Sequence, residues 1–286
     1  MFKRIALIAN KNRQKITETL RSVSNYLLNR NIDIVLNSFS ADLMQDSDLR
    51  AVPDEQLPLQ CDMAIAIGGD GTMLWAAQLL ADYDVPLLGI NRGRLGFLAD
   101  IPADSVEEHL QQILDGHYIE DERIQLHCQV ERDNKIIKES HAFNDIIVQK
   151  WNIAKLIELT TYVDQTLLHS QRSDGMIISS PTGSTAYALS GGGPILHPAL
   201  DALVLVPICP HTLSNRPIVI DGNSRIEIVV GTPEIDHASL TCDGEIICDL
   251  LTGDRIIIHK KNKKIRLIHP PGYDHFSTLR AKLQWG

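Results

Sequence analysis

A single carboxylate lies within a run of glycines at Gly68-Gly69-Asp70-Gly71-Thr72. Because glycines carry no Cβ atom, the backbone amides of such a run can approach a phosphate group closely. A carboxylate beside phosphates is unfavourable unless it accepts a proton or holds a metal ion, so Asp70 is a candidate catalytic base. Gly68, Gly69 and Thr72 are candidates for a phosphate-binding loop. The run alone also fits an ordinary Asp-Gly turn, and it matches neither the P-loop nor the dinucleotide-binding fingerprint.

A second passage of small and polar residues extends from Arg172 to Pro194. The pattern predicts a strand, a tight turn and a short helix opened by hydroxyl groups. Such amides and hydroxyls suit sugar hydroxyls, an amide ligand or a phosphate, although Tyr187 also fits a core position. Asn144 and Asp145 form a polar pair within an otherwise apolar strand. They fit either contacts to a ligand's ribose or amine, or a turn at the end of the strand.

The glycine loop belongs to a segment in which strands and helices alternate. Short apolar runs predict buried strands at residues 4–9, 32–36, 63–67 and 85–90. Residues 14–28 have the apolar spacing of an amphipathic helix, and Thr72 is predicted to cap another helix that begins beside it. The alternation predicts a parallel, Rossmann-like sheet, and ligands bind such sheets at the carboxyl ends of the strands.

Two arginines follow the strand predicted at residues 85–90. Arg92 and Arg94 carry planar guanidinium groups that can hold a phosphate, although each alone also fits a solvated surface loop. A further helix is predicted at residues 104–114, and Asp115-Gly116 ends it. The arginine loop and the glycine loop are both expected at the carboxyl edge of the sheet.

From about residue 121 the pattern changes to that of antiparallel strands. Turn-like pairs at Asp133-Asn134 and Asp164-Gln165 separate the predicted strands, as in β-hairpins. We therefore predict an α/β N-terminal domain at residues 1–120 and a mostly β C-terminal domain at residues 121–270. Residues 271–286 have apolar side chains on one helical face and are expected to pack back on the first domain.

Composition excludes several classes of protein. The chain has 286 residues, 44% hydrophobic and 22% charged, which is typical of folded globular domains. A formal charge of −9 argues against a broad basic face for nucleic acid, and no apolar run reaches membrane-spanning length. The five scattered cysteines predict reduced thiols in the cytoplasm. The eleven histidines show no metal-ligand spacing, so no residue is assigned as a metal ligand.

Taken together, these motifs resemble the NAD kinases in their bacterial form. The run from Gly68 to Thr72 alone would also fit the diacylglycerol and sphingosine lipid kinases, and loosely the phosphofructokinases. The other matching stretches favour the NAD kinases; they are Asn91 to Leu98, Phe143-Asn144-Asp145, Ser173-Asp174-Gly175, Ser180 to Pro194 and Leu267-Ile268-His269-Pro270. The resemblance therefore covers nearly the whole chain.

The resemblance implies an enzyme that phosphorylates the 2′-hydroxyl of the adenosine ribose of NAD to give NADP. It implies ATP, or in some members polyphosphate, as the donor, with a divalent cation such as Mg²⁺, and a homo-oligomer that is often a tetramer. Asp70 would activate the hydroxyl, and Gly71 would lie beside the dinucleotide. The remaining residues implied for binding NAD are Asn144, Asp145, Lys155, Arg172, Asp174, Thr182, Thr185, Ala186, Tyr187, Ala188, Leu189 and Ser190.

Two positions depart from the family pattern, and two alternatives stay open. Glu245 stands where many members have a glutamine, so a carboxylate replaces an amide that both donates and accepts. Asp145 stands where the family often has a glutamate, which keeps the charge and shortens the reach. The alternatives are a lipid kinase with an apolar substrate cleft and a catalytically silent NAD-binding regulator. The sequence does not distinguish ATP from polyphosphate as donor, or NAD from NADH as acceptor.

Overall fold

The computed structural model describes residues 2–10, 14–45, 48–93, 96–151, 155–212, 214–231 and 238–285. The chain divides into two compact units, Met1–Glu122 with Ile265–Gly286, and Arg123–Lys264. Arg94, one of the two arginines expected to bind phosphate, lies outside the described residues. No helix in the described ranges is long and apolar enough to cross a membrane.

The first unit contains a mostly parallel sheet. Its strands are β1 (Arg4–Ile8), β2 (Asp33–Leu36), β3 (Arg50–Ala51), β4 (Met63–Gly68), β5 (Leu87–Asn91), β6 (Ile101–Pro102), β7 (Ile119–Arg123) and, near the end of the chain, β20 (Ile265–His269). They follow the order β3-β2-β1-β4-β5-β20-β7, with β6 beside β5. The pairs of β1 with β2 and β4, and of β5 with β4, β6 and β20, are parallel. The predicted α/β class is confirmed.

The first unit contains five helices in the described ranges. They are α1 (Gln14–Asn29), α2 (Ser38–Leu43), α3 (Asp70–Leu80), α4 (Val106–Leu114) and α6 (His275–Leu283), with 3-10 turns at Asp54–Leu59 and Ala103–Ser105. In α1 the buried apolar residues recur at helical spacing at Ile16, Leu20, Val23 and Leu27. In α3 the buried apolar face begins at Met73. The core strand β4 is buried along its whole length, as its continuous apolar sequence predicts.

The end of the chain returns to the first unit. Strand β20, which the sequence analysis included in the second domain, pairs in parallel with β5 through Leu267 and Leu87. Helix α6 follows it, capped by Asp274, whose carboxylate accepts from the amides of Phe276 and Ser277. Lys282 of this helix lies over the ring of Phe97, 5.2 Å from its centroid. A local pattern does not reveal which sheet a strand joins, so β20 could not be placed from sequence.

The second unit is built of two antiparallel sheets. Its strands are β8 (Leu126–Arg132), β9 (Lys135–Ala142), β10 (Asp145–Lys150), β11 (Ile157–Val163), β12 (Thr166–Ser173), β13 (Gly175–Ser179), β14 (Ala202–Ile208), β15 (Ile218–Asp221), β16 (Ile226–Gly231), β17 (Ala238–Cys242), β18 (Glu245–Leu250) and β19 (Arg255–Lys260). One sheet has the order β15-β14-β13-β10-β17-β18 and the other β12-β11-β16-β19-β8-β9. Apolar residues of both sheets share one buried cluster, which includes Ile146 and Ile258. The mostly β character predicted for this part is confirmed.

The hairpin turns have the backbone that their sequences predict. Asp133 and Asn134 have φ angles of 51° and 59°, and Asp164 and Gln165 have φ angles of 49° and 67°. Two consecutive positive φ angles match the twist of the flanking strands. A 3-10 turn at Gly183–Thr185 and the short helix α5 (Tyr187–Ser190) lie after β13.

Candidate active site

The glycine loop joins strand β4 to helix α3. Gly68 ends the strand, and α3 begins at Asp70 with Gly69 as its N-cap in an extended conformation (φ −121°, ψ −166°). Thr72 is not the cap that the sequence predicted, because it lies inside the first turn and its hydroxyl donates to Asn10 Oδ1 (2.8 Å). The first amides of a helix have no partner within it, so this end of α3 is suited to an anion.

The two adjacent glycines of the loop have different structural requirements. A Cβ atom on Gly68 would lie 2.2 Å from Thr72 Oγ1, so any side chain there collides with the helix. A Cβ atom on Gly69 would have no described atom within 4 Å. Gly68 is therefore needed for packing, whereas the space beside Gly69 is open to a ligand.

The Asp70 carboxylate is held by three consecutive backbone amides. Phe97 N donates to Oδ2 (2.8 Å), and the amides of Leu98 and Ala99 donate to Oδ1 (3.0 and 3.3 Å). Asp70 is half-buried, and these three hydrogen bonds fix the position of its carboxylate. An ionised carboxylate is an acceptor only, which matches these donors. The carboxyl edge of the sheet thus presents a rigidly held anionic acceptor.

Arg92, expected to hold a phosphate, already has several partners. Its Nε donates to the carbonyl oxygen of Lys15 (3.1 Å), and Nη1 lies 3.5 Å from Asp104 Oδ1. Its backbone amide donates to the Gly68 carbonyl (2.9 Å), which ties the arginine loop to the glycine loop. Lys15, Arg92 and Asp104 line a cavity of about 400 Å³. The charge of the guanidinium is therefore partly balanced within the protein.

In the second unit, the polar pair predicted to contact a ligand lies where β10 begins. The carboxylate of Asp243 accepts from the amides of Phe143 (2.8 Å), Asn144 (2.7 Å) and Asp145 (3.2 Å). Asp243 comes from the β17–β18 hairpin turn, where its φ is 49°. The backbone at Asn144 and Asp145 is thus fixed by a residue about a hundred positions away in the chain.

Asp145 has an unusual electrostatic environment. It is only 4% exposed, and burial, followed by repulsion from the Asp243 carboxylate, raises its pKa from 3.8 to about 7. Removing a carboxylate from water disfavours its charged form, and a second negative charge adds to that effect. Strongly perturbed carboxyl groups are concentrated at functional sites, which favours Asp145 as a ligand contact.

A turn after β13 packs directly on this polar pair. The amide of Ser180 donates to the Asn144 carbonyl (2.9 Å), and its hydroxyl donates to the Phe143 carbonyl (2.6 Å). A Cβ atom on Gly183 would lie 2.2 Å from the Asn144 carbonyl oxygen, so only glycine fits here. The Thr182 hydroxyl accepts from the buried Arg123 (3.3 Å). The structure therefore packs the turn that contains Thr182 against the backbone of Asn144.

Residues 185–190 differ in solvent exposure. Tyr187 is 43% exposed and Ser190 is also exposed, whereas Thr185, Ala186 and Leu189 are half-buried. Ala188 is fully buried in an apolar cluster with Ile177 and Val206. The side chain of Ala188 thus anchors this short helix and is not available to a ligand.

Three further predicted residues of this unit are exposed or half-buried. Asp174 is half-buried and pairs with Lys150, with Nζ to Oδ1 at 2.6 Å. Lys155 and Arg172 are exposed. Among the described residues, no group of three or more histidines, cysteines, aspartates or glutamates could hold a metal ion.

Several residues that shape these sites were missed from sequence. They are Gly96, the amides of residues 97–99, Ser180 and Asp243. Two signals were available in the sequence, the glycine at position 96 near the end of a loop and the Asp243-Gly244 pair between two strands. Their roles depend on contacts across long separations in the chain, which a local pattern does not contain.

Comparison with known proteins agrees with this architecture. Residues 5–118 match the family model of the ATP-NAD kinase N-terminal domain, and residues 143–270 match that of the ATP-NAD kinase C-terminal domain. The chain is a phosphotransferase of the ATP-dependent kinase class. Curated relatives include the NAD kinase of Nitrosococcus oceani, at 45% identity over all of this chain and 97% of that protein. Another is the NAD kinase of Pseudomonas entomophila, at 42% identity over all of this chain and 96% of that protein. The chain belongs to the NAD kinase family.

Two solved structures share the fold. The yeast NADH kinase complexed with NADH has a TM-score of 0.92 and 25% identity, and the match covers 99% of this chain and 88% of that one. The NAD kinase from Archaeoglobus fulgidus in complex with ATP has a TM-score of 0.74 and 24% identity, over 97% and 99% of the two chains. The fold therefore extends over the whole of this chain.

Proposed function

We propose that this chain transfers the terminal phosphoryl group of ATP to the 2′-hydroxyl of the adenosine ribose of NAD, giving NADP and ADP. The observation that carries the proposal is the Asp70 carboxylate, fixed by three amides beside the open N-terminus of α3. Membership of the NAD kinase family supports the choice of substrates. A carboxylate beside an anion site is suited to a reaction in which a hydroxyl attacks a phosphoryl group.

In this proposal Asp70 is the general base. The O2′–H bond breaks and its proton passes to the carboxylate while the O2′–P bond forms. The bond from the γ-phosphorus to the β,γ-bridging oxygen breaks, and ADP leaves with the electron pair. The amides of Gly69 and Gly71 at the start of α3 stabilise the phosphoryl oxygens, which carry most of the charge. Gly68 and Thr72 hold the loop in shape.

We propose that residues of the second unit bind the dinucleotide. Asp145 and Asn144 supply acceptors and donors for ribose hydroxyls or the adenine amine, and Asp174 supplies an acceptor for the nicotinamide part. The other proposed contacts, supported by exposure or partial exposure, are Lys155, Arg172, Thr185, Ala186, Tyr187, Leu189 and Ser190. Thr182 is nearly buried and its hydroxyl already accepts from Arg123 (3.3 Å), so we propose that it orients the turn beside the ligand.

We propose Mg²⁺ as the divalent cation, held mainly by donor phosphates. The described residues contain no cluster of three potential ligands, and Asp70 is already bound to three amides. Mg²⁺ commonly keeps several waters and binds through substrate phosphates with one or two carboxylates. When bound, the ion would neutralise charge on the phosphates.

We also propose that the chain is a cytoplasmic homotetramer. The cysteines, Cys61, Cys128, Cys209, Cys242 and Cys248, are free thiols, which fits a reducing compartment. Apolar residues on strands at the edges of the two sheets are exposed, including Ile136 (52%) and Ile246 (59%), which supports self-association. Light scattering should give a mass of four 31.8 kDa chains. A monomer at working concentration would contradict this part of the proposal.

The decisive assay measures NADP formed from NAD with ATP or polyphosphate as donor. We expect Asp70→Asn to lower kcat by about 10²- to 10⁴-fold, because the amide cannot take the proton. Asp33→Asn is the matched control, since Asp33 is exposed at the amino end of β2 and its pair with Arg4 is a surface ion pair. Near-normal turnover by Asp70→Asn would refute the base role. Binding of NAD without NADP formation from either donor would favour the silent regulator, and phosphorylation of diacylglycerol would favour the lipid kinase.

A further inference from the structure

The loop at residues 96–99 packs closely against the carboxylate of Asp70, the candidate base. A Cβ atom added to Gly96 would lie 2.0 Å from Asp70 Oδ1 and 2.8 Å from its Cγ. Cβ atoms do not approach other atoms so closely, and the atoms met here belong to a carboxylate that three amides already restrain. Any side chain at position 96 must therefore displace the carboxylate or the loop.

The amides that hold Asp70 are themselves fixed by the sheet. Leu98 and Ala99 are buried, and the Ala99 carbonyl accepts from the side-chain amide of Asn91 on β5 (3.2 Å). A Cβ atom on Gly89 of β5 would lie 2.8 Å from Ala99 Cα, which shows how closely the loop packs on the strand. The three donors are thus attached to a core strand of the first unit, which gives them little freedom to move.

From this geometry we propose that Gly96 and the backbone amides of Phe97, Leu98 and Ala99 position Asp70 for proton abstraction. The proposal rests on the proposed function. Gly96 provides the space, and the amides fix the plane of the carboxylate. Oδ1 accepts two of these hydrogen bonds and Oδ2 accepts one, so Oδ2 retains the greater acceptor capacity. Oδ2 is therefore the atom assigned to receive the proton from the ribose hydroxyl.

The first test does not depend on enzymatic activity. Hydrogen–deuterium exchange of the segment containing residues 97–99 is compared in the wild type, Asp70→Asn and the control Asp33→Asn. An asparagine has one acceptor oxygen and an amino group that repels N–H donors, so it cannot hold all three amides. Hydrogen bonds to a charged group stabilise by about 1.5–3 kcal/mol, so exchange should accelerate by at least about tenfold in Asp70→Asn alone. Unchanged exchange in that variant would overturn the proposal.

The second test separates positioning from binding. Gly96→Ala should lower kcat by about 10²-fold, the effect of displacing a catalytic group by about 1 Å, while KM for NAD changes little. Gly93→Ala is the matched control in the same loop, because the nearest described atom to its added Cβ is 3.9 Å away. Equal kcat values for the two variants would overturn the proposal.

A double variant shows whether Gly96 acts through Asp70. In an Asp70→Asn background, Gly96→Ala should lower kcat little further, because the carboxylate that it displaces is already absent. Full additivity of the two losses would contradict a positioning role. If the wild type forms no NADP, the proposed function fails, whereas the exchange experiment still decides whether the amides hold Asp70. If Gly96→Ala does not fold, the exchange comparison alone supports or overturns the positioning.

Discussion

Replacing Asp145 by asparagine tests the strongly perturbed carboxyl group of the second unit. Burial and the nearby Asp243 carboxylate raise the pKa of Asp145 from 3.8 to about 7. Between these two values the folded protein binds more protons than the unfolded chain does. The free energy of unfolding therefore falls as the pH rises through this window, and the loss is complete above about pH 7.

The size of the effect follows from the two pKa values. The difference between 3.8 and about 7 corresponds to about 4 kcal/mol at 1.36 kcal/mol for each pKa unit. Asparagine resembles the neutral carboxyl group and does not ionise, so the variant avoids this loss. We expect Asp145→Asn to be more stable than the wild type by under about 1 kcal/mol near pH 4 and by about 4 kcal/mol above pH 7.

Urea unfolding of both proteins between pH 4 and pH 8.5, followed by circular dichroism, measures this difference. Asp133→Asn makes the same chemical change in an exposed turn, where asparagine tolerates the positive φ of 51°, and should track the wild type at every pH. A stability difference for Asp145→Asn that does not grow with pH would refute the reasoning. So would a wild type that becomes relatively more stable as the pH rises.

Three further predictions follow from neighbouring residues. Gly68→Ala should lower the melting temperature, because its added Cβ collides with Thr72. Gly69→Ala should keep the wild-type melting temperature and lose affinity for ATP in calorimetry. Equal melting temperatures for the two variants would contradict this packing. Asp243→Asn should lower the free energy of unfolding by about 1–3 kcal/mol in denaturant titrations, because an asparagine cannot accept from all three amides. An unchanged denaturation midpoint would contradict this prediction. The Kd for NAD should fall as the pH rises from 6 to 8, because ligand hydroxyls donate more strongly to the ionised carboxylate of Asp145. In fluorescence titrations, Asp145→Asn should flatten this dependence of Kd on pH.

Much of the secondary structure could be predicted from the sequence because its causes are local. The continuous apolar run of β4 and the helical spacing in α1 indicate their elements within a few residues. The Asp133-Asn134 turn has the left-handed backbone that such pairs favour. The strand β7 (Ile119–Arg123) was missed, because its sequence is polar and it lies at the end of its sheet. Its strand character depends on pairing with a neighbour.

Candidate site residues can be named from the sequence, but their arrangement in space cannot. Asp70 stands out in sequence because a carboxylate among glycines is unusual. The amides that hold it lie 27 to 29 residues further along the chain, in a loop whose visible signal was its arginines. The position of Thr72 beside an apolar run predicts a helix cap, yet its hydroxyl donates to Asn10, 62 residues away. Local rules predicted the helix and not the partner of the hydroxyl.

The sequence by itself determined the kinds of elements, the two glycine-rich passages, the resemblance to one family and the acidic residue at the centre of the first passage. These depend on residue type and short spacing, which the linear chain contains. Only the tertiary structure decided that β20 joins the first sheet, that Gly96 makes room for Asp70, and that Asp243 fixes the backbone at Asp145. Burial, steric fit and charge repulsion depend on distances in space, which are set when strands far apart in sequence come together.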